Sequence, residues 1–143
     1  MRVVLDTNVV VSATLVRGGN EDRILRAWQR GAFELVLSPQ ILEEIGRVLT
    51  YERFEQLRWM AEDEIVSLLQ SLAQQSVLVA GRVTVEVSRD PEDDKFLWAA
   101  IEGDARYVVT GDRDLLDLKT YRGVQIVTPT AFLKLLRPAQ RRK

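Results

Sequence analysis

The sequence predicts an α/β fold in which helices cover both faces of a mostly parallel central sheet. Short apolar strand patterns alternate with amphipathic helix patterns along the chain, which favours parallel strands joined by helical crossovers. A length of 143 residues fits one domain, and 46% apolar with 29% charged residues is typical of a globular protein. We expect one domain over residues 1–137 and a flexible basic tail over 138–143.

The amino-terminal part contains two predicted strands on either side of a predicted helix. The β-branched run at 2–5 predicts a buried strand that stops at Asp6. The apolar face of residues 21–30 predicts a helix that ends at Gly31, and residues 33–37 predict the second strand. Asp6 is therefore expected at the carboxyl end of a strand.

The next helix has the clearest amphipathic pattern in the chain. Ser38 is a favourable N-cap residue, and Pro39 suits the first helical turn. The remaining predicted elements are a helix over 62–74, extended segments at 76–80 and 83–87, a helix from Asp90 to about Glu102, strands over 107–110 and 124–127, and a helix over 129–136.

The absence of Cys and His excludes several kinds of chemistry. The chain has no disulfide, no thiolate nucleophile, no Ser-His-Asp triad and no imidazole base, and most zinc sites are ruled out.

The longest apolar run has six residues, 96–101, which is too short for a membrane helix, and the start MRVVLDTN lacks a signal-peptide profile. We therefore expect a cytoplasmic protein without membrane contact.

Acidic residues follow two of the predicted strands. Asp6 comes directly after the first strand, and Asp112 and Asp114 follow the strand at 107–110. Asp93 and Asp94 lie in the first turn of the helix after Pro91. Strand carboxyl ends and helix amino ends meet at one edge of a parallel sheet, where ligands bind.

Helical geometry assigns sides to the remaining carboxylates. At about 100° per residue, Glu44 lies at the boundary of the apolar face and Glu43 on the solvent side. The same count places Asp93 on the inward face and Asp94 near its edge. Each acidic residue also has a purely structural interpretation as a cap or turn former, and Asp90 is most simply an N-cap.

Together, however, inward carboxylates from several segments repel one another unless a cation offsets their charge. An all-oxygen ligand set without His or Cys favours Mg²⁺ or Mn²⁺. The matching chemistry is phosphodiester hydrolysis, in which metal activates the attacking water and stabilises the charged phosphate.

Four segments of the chain carry a resemblance to a known family. They are VVLDTNVVVSA (3–13), SPQILEEIGRVL (38–49), RDPEDDKFLWAA (89–100) and YVVTGDRDLL (107–116). These segments resemble the signature segments of PIN-domain proteins, especially the branch of toxin nucleases from type II toxin–antitoxin pairs. This resemblance implies a three-layer α/β/α sandwich and a Mg²⁺- or Mn²⁺-dependent ribonuclease that cuts single-stranded or structured RNA.

The resemblance also implies site residues. The four acidic positions of the family fall on Asp6, Glu44, Asp93 and Asp112, with Asp94 as the alternative to Asp93. Asp114 matches an auxiliary metal-ligand position. Supporting positions fall on Asn8, which can bond the Asp6 carboxylate, and Thr110, which offers a hydroxyl at a strand end.

Basic residues are candidates for binding RNA phosphates. Residues 117–143 carry a formal charge of +6, whereas residues 1–116 carry −7. The candidates are Lys95, Arg113, Lys119, Arg122, Lys134, Arg137, Arg141, Arg142 and Lys143.

Two other functions fit parts of the pattern. A non-catalytic RNA-binding or scaffold protein could keep the fold without the chemistry. A Mg²⁺-dependent phosphatase of the haloacid-dehalogenase type would need Asp where Asn8 stands. The PIN resemblance further implies a homodimer and, for a toxin, an antitoxin partner that covers the active cleft or inserts a basic side chain into it.

Overall fold

Strand β1 (Arg2–Leu5) lies near the middle of a six-stranded sheet and is buried from Val3 onward. The computed structural model describes residues 1–51, 57–84 and 91–141, with the backbone alone at Pro91 and 137–141. The sheet order is β3-β2-β1-β4-β6-β5, and β5 is antiparallel to β6, whereas the other pairs are parallel. The remaining strands are β2 (Glu34–Leu37), β3 (Val77–Leu78), β4 (Tyr107–Val109), β5 (Thr120–Tyr121) and β6 (Val124–Val127).

Helices connect these strands and pack against the sheet, which confirms the predicted α/β architecture. A single apolar cluster includes the strands and the inner faces of the helices. In chain order the helices are α1 (Thr7–Leu15), α2 (Asn20–Gln29), α3 (Pro39–Leu49), α4 (Glu62–Gln75), α5 (Asp94–Glu102), α6 (Arg113–Leu116) and α7 (Pro129–Arg141). A 3₁₀ turn, Pro91–Asp93, precedes α5.

Strand β1 has β2 on one side and β4 on the other, so the strand order changes direction at this point. Val3 pairs with Leu35 of β2 and with Tyr107 of β4. In parallel α/β sheets, a crevice opens outside the carboxyl ends of the strands at such a position. The residues that follow β1 and β4 are therefore placed at the natural ligand-binding edge.

Five elements differ from the sequence-based prediction. Residues 7–15 form α1, although no helix is predicted there, and the short α6 and β5 are also unpredicted. The extended segment predicted at 76–80 contains only the two-residue β3. Helix α7 continues to Arg141 instead of ending at Leu136.

The carboxylate of Glu102 holds the chain that follows β3. It accepts backbone N–H groups of Gly81, Arg82 and Val83 at 2.9–3.1 Å, and these bonds lower the pKa of Glu102. The side-chain amide of Gln40 donates to the Gly81 carbonyl at 3.0 Å. This turn is thus tied to both α5 and α3.

None of the helices within the described ranges is both long and apolar enough to span a bilayer.

Candidate active site

The centre of the site is Asp6, which leaves the end of β1 and begins α1 as its N-cap. Its backbone N–H donates to the Val109 carbonyl at 2.9 Å, which continues the pairing of β1 with β4. The side chain is buried, and Oδ1 accepts the backbone N–H of Asn8 at 3.0 Å. The contact from Asn8 is therefore made by its backbone, while its exposed side chain makes no described bond to Asp6.

A chain of hydrogen bonds connects Asp6 to the residues after β4. The buried Thr110 hydroxyl donates to Asp6 Oδ2 at 2.6 Å and accepts the Asp112 backbone N–H at 2.9 Å. Asp112 in turn caps α6, because its Oδ1 accepts the backbone N–H of Asp114 at 2.8 Å. These bonds fix the Asp6 and Asp112 carboxylates relative to each other.

Three partly buried carboxylates form a compact group at this edge. Asp93, Asp112 and Asp114 each offer one oxygen, and these oxygens lie within 4.8 Å of one another. Hard divalent cations such as Mg²⁺ and Mn²⁺ prefer several carboxylate oxygens, so the donor set fits such an ion. Asp93 is placed here by the 3₁₀ turn, whereas Asp112 is the N-cap of α6 and Asp114 lies in its first turn.

A recess of about 200 Å³ lies beside this group and is lined by Asp6, Glu44, Asp93 and Lys95. Helix α3 supplies Glu44, whose Oε1 accepts the Thr7 hydroxyl at 2.5 Å. Its Oε2 lies 2.9 Å from the Lys95 ammonium on α5. Asp93 lines the recess and also belongs to the compact carboxylate group, so it joins the two parts of the site.

The environment of Asp6 disfavours its charged form. Burial raises the pKa of Asp6 above the ordinary value of 3.8, and the negative charges of Asp112 and Glu44 act in the same direction. The hydrogen bonds from Thr110 and Asn8 oppose this shift. A buried carboxylate with acidic neighbours is the arrangement that a bound cation would stabilise.

Removing the Asp6 charge should therefore change the pH dependence of stability. As pH rises through the ordinary value, the unfolded chain loses its Asp6 proton first, which favours unfolding. In EDTA, we expect the unfolding free energy of Asp6→Asn minus that of the wild type to increase as the pH rises from about 4 to about 7. Urea unfolding of both proteins at both pH values measures this change. A constant difference, or one that shrinks at the higher pH, would contradict the inferred cause.

The two predictions from helical geometry had different outcomes. Glu44 is partly buried and Glu43 exposed, as the count along α3 predicts. The count for Asp93 and Asp94 was wrong, because Asp94 is buried and Asp93 is only partly buried. Asp93 belongs to the 3₁₀ turn, outside the α-helix along which the angles were counted.

The proposed RNA-binding residues are placed differently from one another. Arg113 is exposed beside Asp112 at the site edge, whereas Lys95 is largely buried in the recess. Arg122 occupies the turn between β5 and β6, at the opposite edge of the sheet. Residues outside the described chain, or described by their backbone alone, are Asp90, Arg137, Arg141, Arg142 and Lys143.

Two contacts of the site have no counterpart in the sequence analysis. The Thr7 hydroxyl bonds Glu44, and Lys95 pairs with the same carboxylate. The only sequence signal for Thr7 is its position directly after Asp6. Lys95 lies one residue beyond the DPEDD run, where a basic residue in an acidic stretch could have indicated an internal counter-charge.

Comparison with known proteins relates the chain to a family and to a relative. Residues 2–114 match the family described as PIN domain. The chain is also similar to an uncharacterized protein of Methanocaldococcus jannaschii, with 32% identity over 119 residues that cover 83% of this chain and 76% of the relative. The carboxylates of the site lie within residues 2–114, whereas the basic carboxyl-terminal region lies outside this range.

Proposed function

Because this chain belongs to the PIN-domain family, whose members are generally nucleases, we propose that it is a ribonuclease dependent on Mg²⁺ or Mn²⁺. The observation that carries this proposal is the group formed by Asp93, Asp112 and Asp114, with carboxylate oxygens within 4.8 Å of one another. Asp6 belongs to the same site through the Thr110 hydroxyl.

The metal would be held by Asp93, Asp112 and Asp114, with Asp6 beside them. When bound, a divalent ion lowers the pKa of a water molecule and neutralises the charge that develops on phosphate. The residues of the chain keep the carboxylates in position: Thr110 orients Asp6, and the α6 amino terminus orients Asp112.

Glu44 has a different role in this proposal. Its carboxylate lines the recess, and Thr7 and Lys95 fix its two oxygens. A carboxylate held in this way can orient a water molecule toward the scissile phosphate and accept its proton. Arg113, which is exposed at the edge of the site, would contact the RNA backbone, and such contacts weaken with salt.

We also propose the biological setting that the toxin-like segments suggest. The protein would be the toxin of a toxin–antitoxin pair, act as a homodimer in the cytoplasm, and be inhibited by an antitoxin over the recess. Co-expression with the product of an adjacent small gene tests this setting. Relief of growth inhibition supports it, and unchanged growth inhibition would favour a solitary RNA-processing enzyme.

The nuclease activity is tested with purified protein and a labelled RNA pool in Mn²⁺, Mg²⁺ or EDTA. We expect cleavage with either metal and none in EDTA. Glu44→Gln should reduce the cleavage rate at least about tenfold, because glutamine cannot accept the proton of the attacking water. Glu43→Gln, one residue away and exposed, is the matched control and should cleave normally. Absence of cleavage together with absence of Mn²⁺-induced stabilisation would favour a non-catalytic RNA-binding protein.

A further inference from the structure

The Lys95 ammonium is mostly buried and contacts carboxylate groups, unlike that of a typical surface lysine. Its side chain is only 11% exposed, and the ammonium lies 2.9 Å from Glu44 Oε2. It donates to the Glu92 carbonyl at 2.5 Å and lies 3.8 Å from Glu92 Oε2. It also sits 5.0 Å from the centre of the Phe96 ring. These contacts replace most of the water around the ammonium.

The same contacts occupy the carboxylate of Glu44. Oε1 accepts the Thr7 hydroxyl, and Oε2 is paired with Lys95. A weaker contact from Arg47 Nη2 reaches Oε2 at 4.0 Å. A metal ion at Oε2 would therefore lie beside the Lys95 ammonium or displace it, while a free lone pair remains for a water molecule.

The position of Lys95 matters because, among the described residues that line the recess, the other charged side chains are acidic. Glu44, Glu92, Asp93 and Asp6 line it together with Lys95. Without a positive charge, these carboxylates would attract a divalent cation. With the ammonium in place, a divalent cation in the same recess would be repelled by the positive charge of Lys95. The Glu44 carboxylate would also be already paired with that ammonium.

We propose that Lys95 takes the place of a second metal ion, so that the protein binds one divalent cation at Asp93, Asp112 and Asp114 instead of two. This inference rests on the proposed metal-dependent function. Lys95 is thus a positioning residue that keeps Glu44 metal-free and oriented toward the recess. The proposal assigns Lys95 to the chemistry of the site, in contrast to the RNA-backbone role predicted from the sequence.

The test is the number of Mn²⁺ ions bound per chain, measured by equilibrium dialysis with electron paramagnetic resonance of free Mn²⁺. We expect one ion in the wild type and two in Lys95→Met. Lys95→Arg, which keeps the charge, should bind one. The double variant Lys95→Met with Glu44→Gln should also return to one, because the second ion would need the Glu44 carboxylate. Thermal melting of each variant checks folding.

The outcomes separate this inference from the proposed function. No Mn²⁺ bound by the wild type would overturn the metal site itself. Two ions in the wild type, or one in a folded Lys95→Met, would overturn the role of Lys95 and leave the nuclease proposal standing. If Lys95→Met does not fold, the Glu44→Gln variant by itself is the test. The proposal expects this variant to bind one Mn²⁺ ion, with an affinity within about threefold of the wild type. Loss of that ion would overturn the proposal.

Discussion

Changing Asp6 to asparagine is expected to lower RNA cleavage by at least about a hundredfold while the fold is kept. Loss of groups that merely support metal ligands costs about 10- to 100-fold, and loss of a charged group within the site should cost no less. Asparagine has nearly the same shape, but its single oxygen cannot accept from both Thr110 and Asn8. Single-turnover cleavage at saturating Mn²⁺ measures the effect.

The control for this change is Asp104→Asn. Asp104 is exposed in the connection that precedes β4, and its backbone has φ 52°, which asparagine tolerates well. This variant should cleave RNA at the wild-type rate. If both variants lose activity equally, or if Asp6→Asn retains more than a tenth of it, Asp6 has no direct role in the site.

The second large effect distinguishes two adjacent carboxylates. We expect Asp93→Asn to lower cleavage by at least about a hundredfold and to weaken Mn²⁺ binding, since Asp93 belongs to the compact carboxylate group. Asp94 is buried beside this group and is not part of it. Asp94→Asn should therefore change the melting temperature more than the cleavage rate.

Cleavage and calorimetric Mn²⁺ titration of both variants, measured well below their melting temperatures, decide between the two residues. The opposite pattern, with Asp94→Asn inactive and Asp93→Asn active, would mean that Asp94 supplies the third acidic ligand. Equal losses in both would indicate that the turn at Pro91–Asp93 acts as a unit.

The fold was predictable where the apolar pattern has a clear period. Strand β6 and helix α3 agree with their predicted residues, because one alternates between buried apolar and exposed residues and the other has a distinct polar face. Helix α1 was missed for the opposite reason. Its Val9, Val10 and Val11 are all buried, so it lacks the polar stripe that marks a helix, and β-branched residues favour strands.

The site was predictable as far as strand ends and the helical angle along α3 determine position. Asp6 and Asp112 follow strands that pair in the sheet, so their approach is a consequence of topology. The pairing of Lys95 with Glu44 depends instead on the packing distance between α3 and α5, which no pattern along one sequence gives. The angular count along α5 does not extend to Asp93, which lies in the 3₁₀ turn before that helix.

The short length of the two outer strands affects how copies of the protein can associate. β3 and β5 each contain two residues, and Glu102 occupies the N–H groups of the turn after β3. An intermolecular sheet needs a run of free backbone donors along an outer strand, and short outer strands do not offer one. Strand-to-strand aggregation is therefore disfavoured at both outer strands of the described sheet, and any self-association is expected to use helix faces.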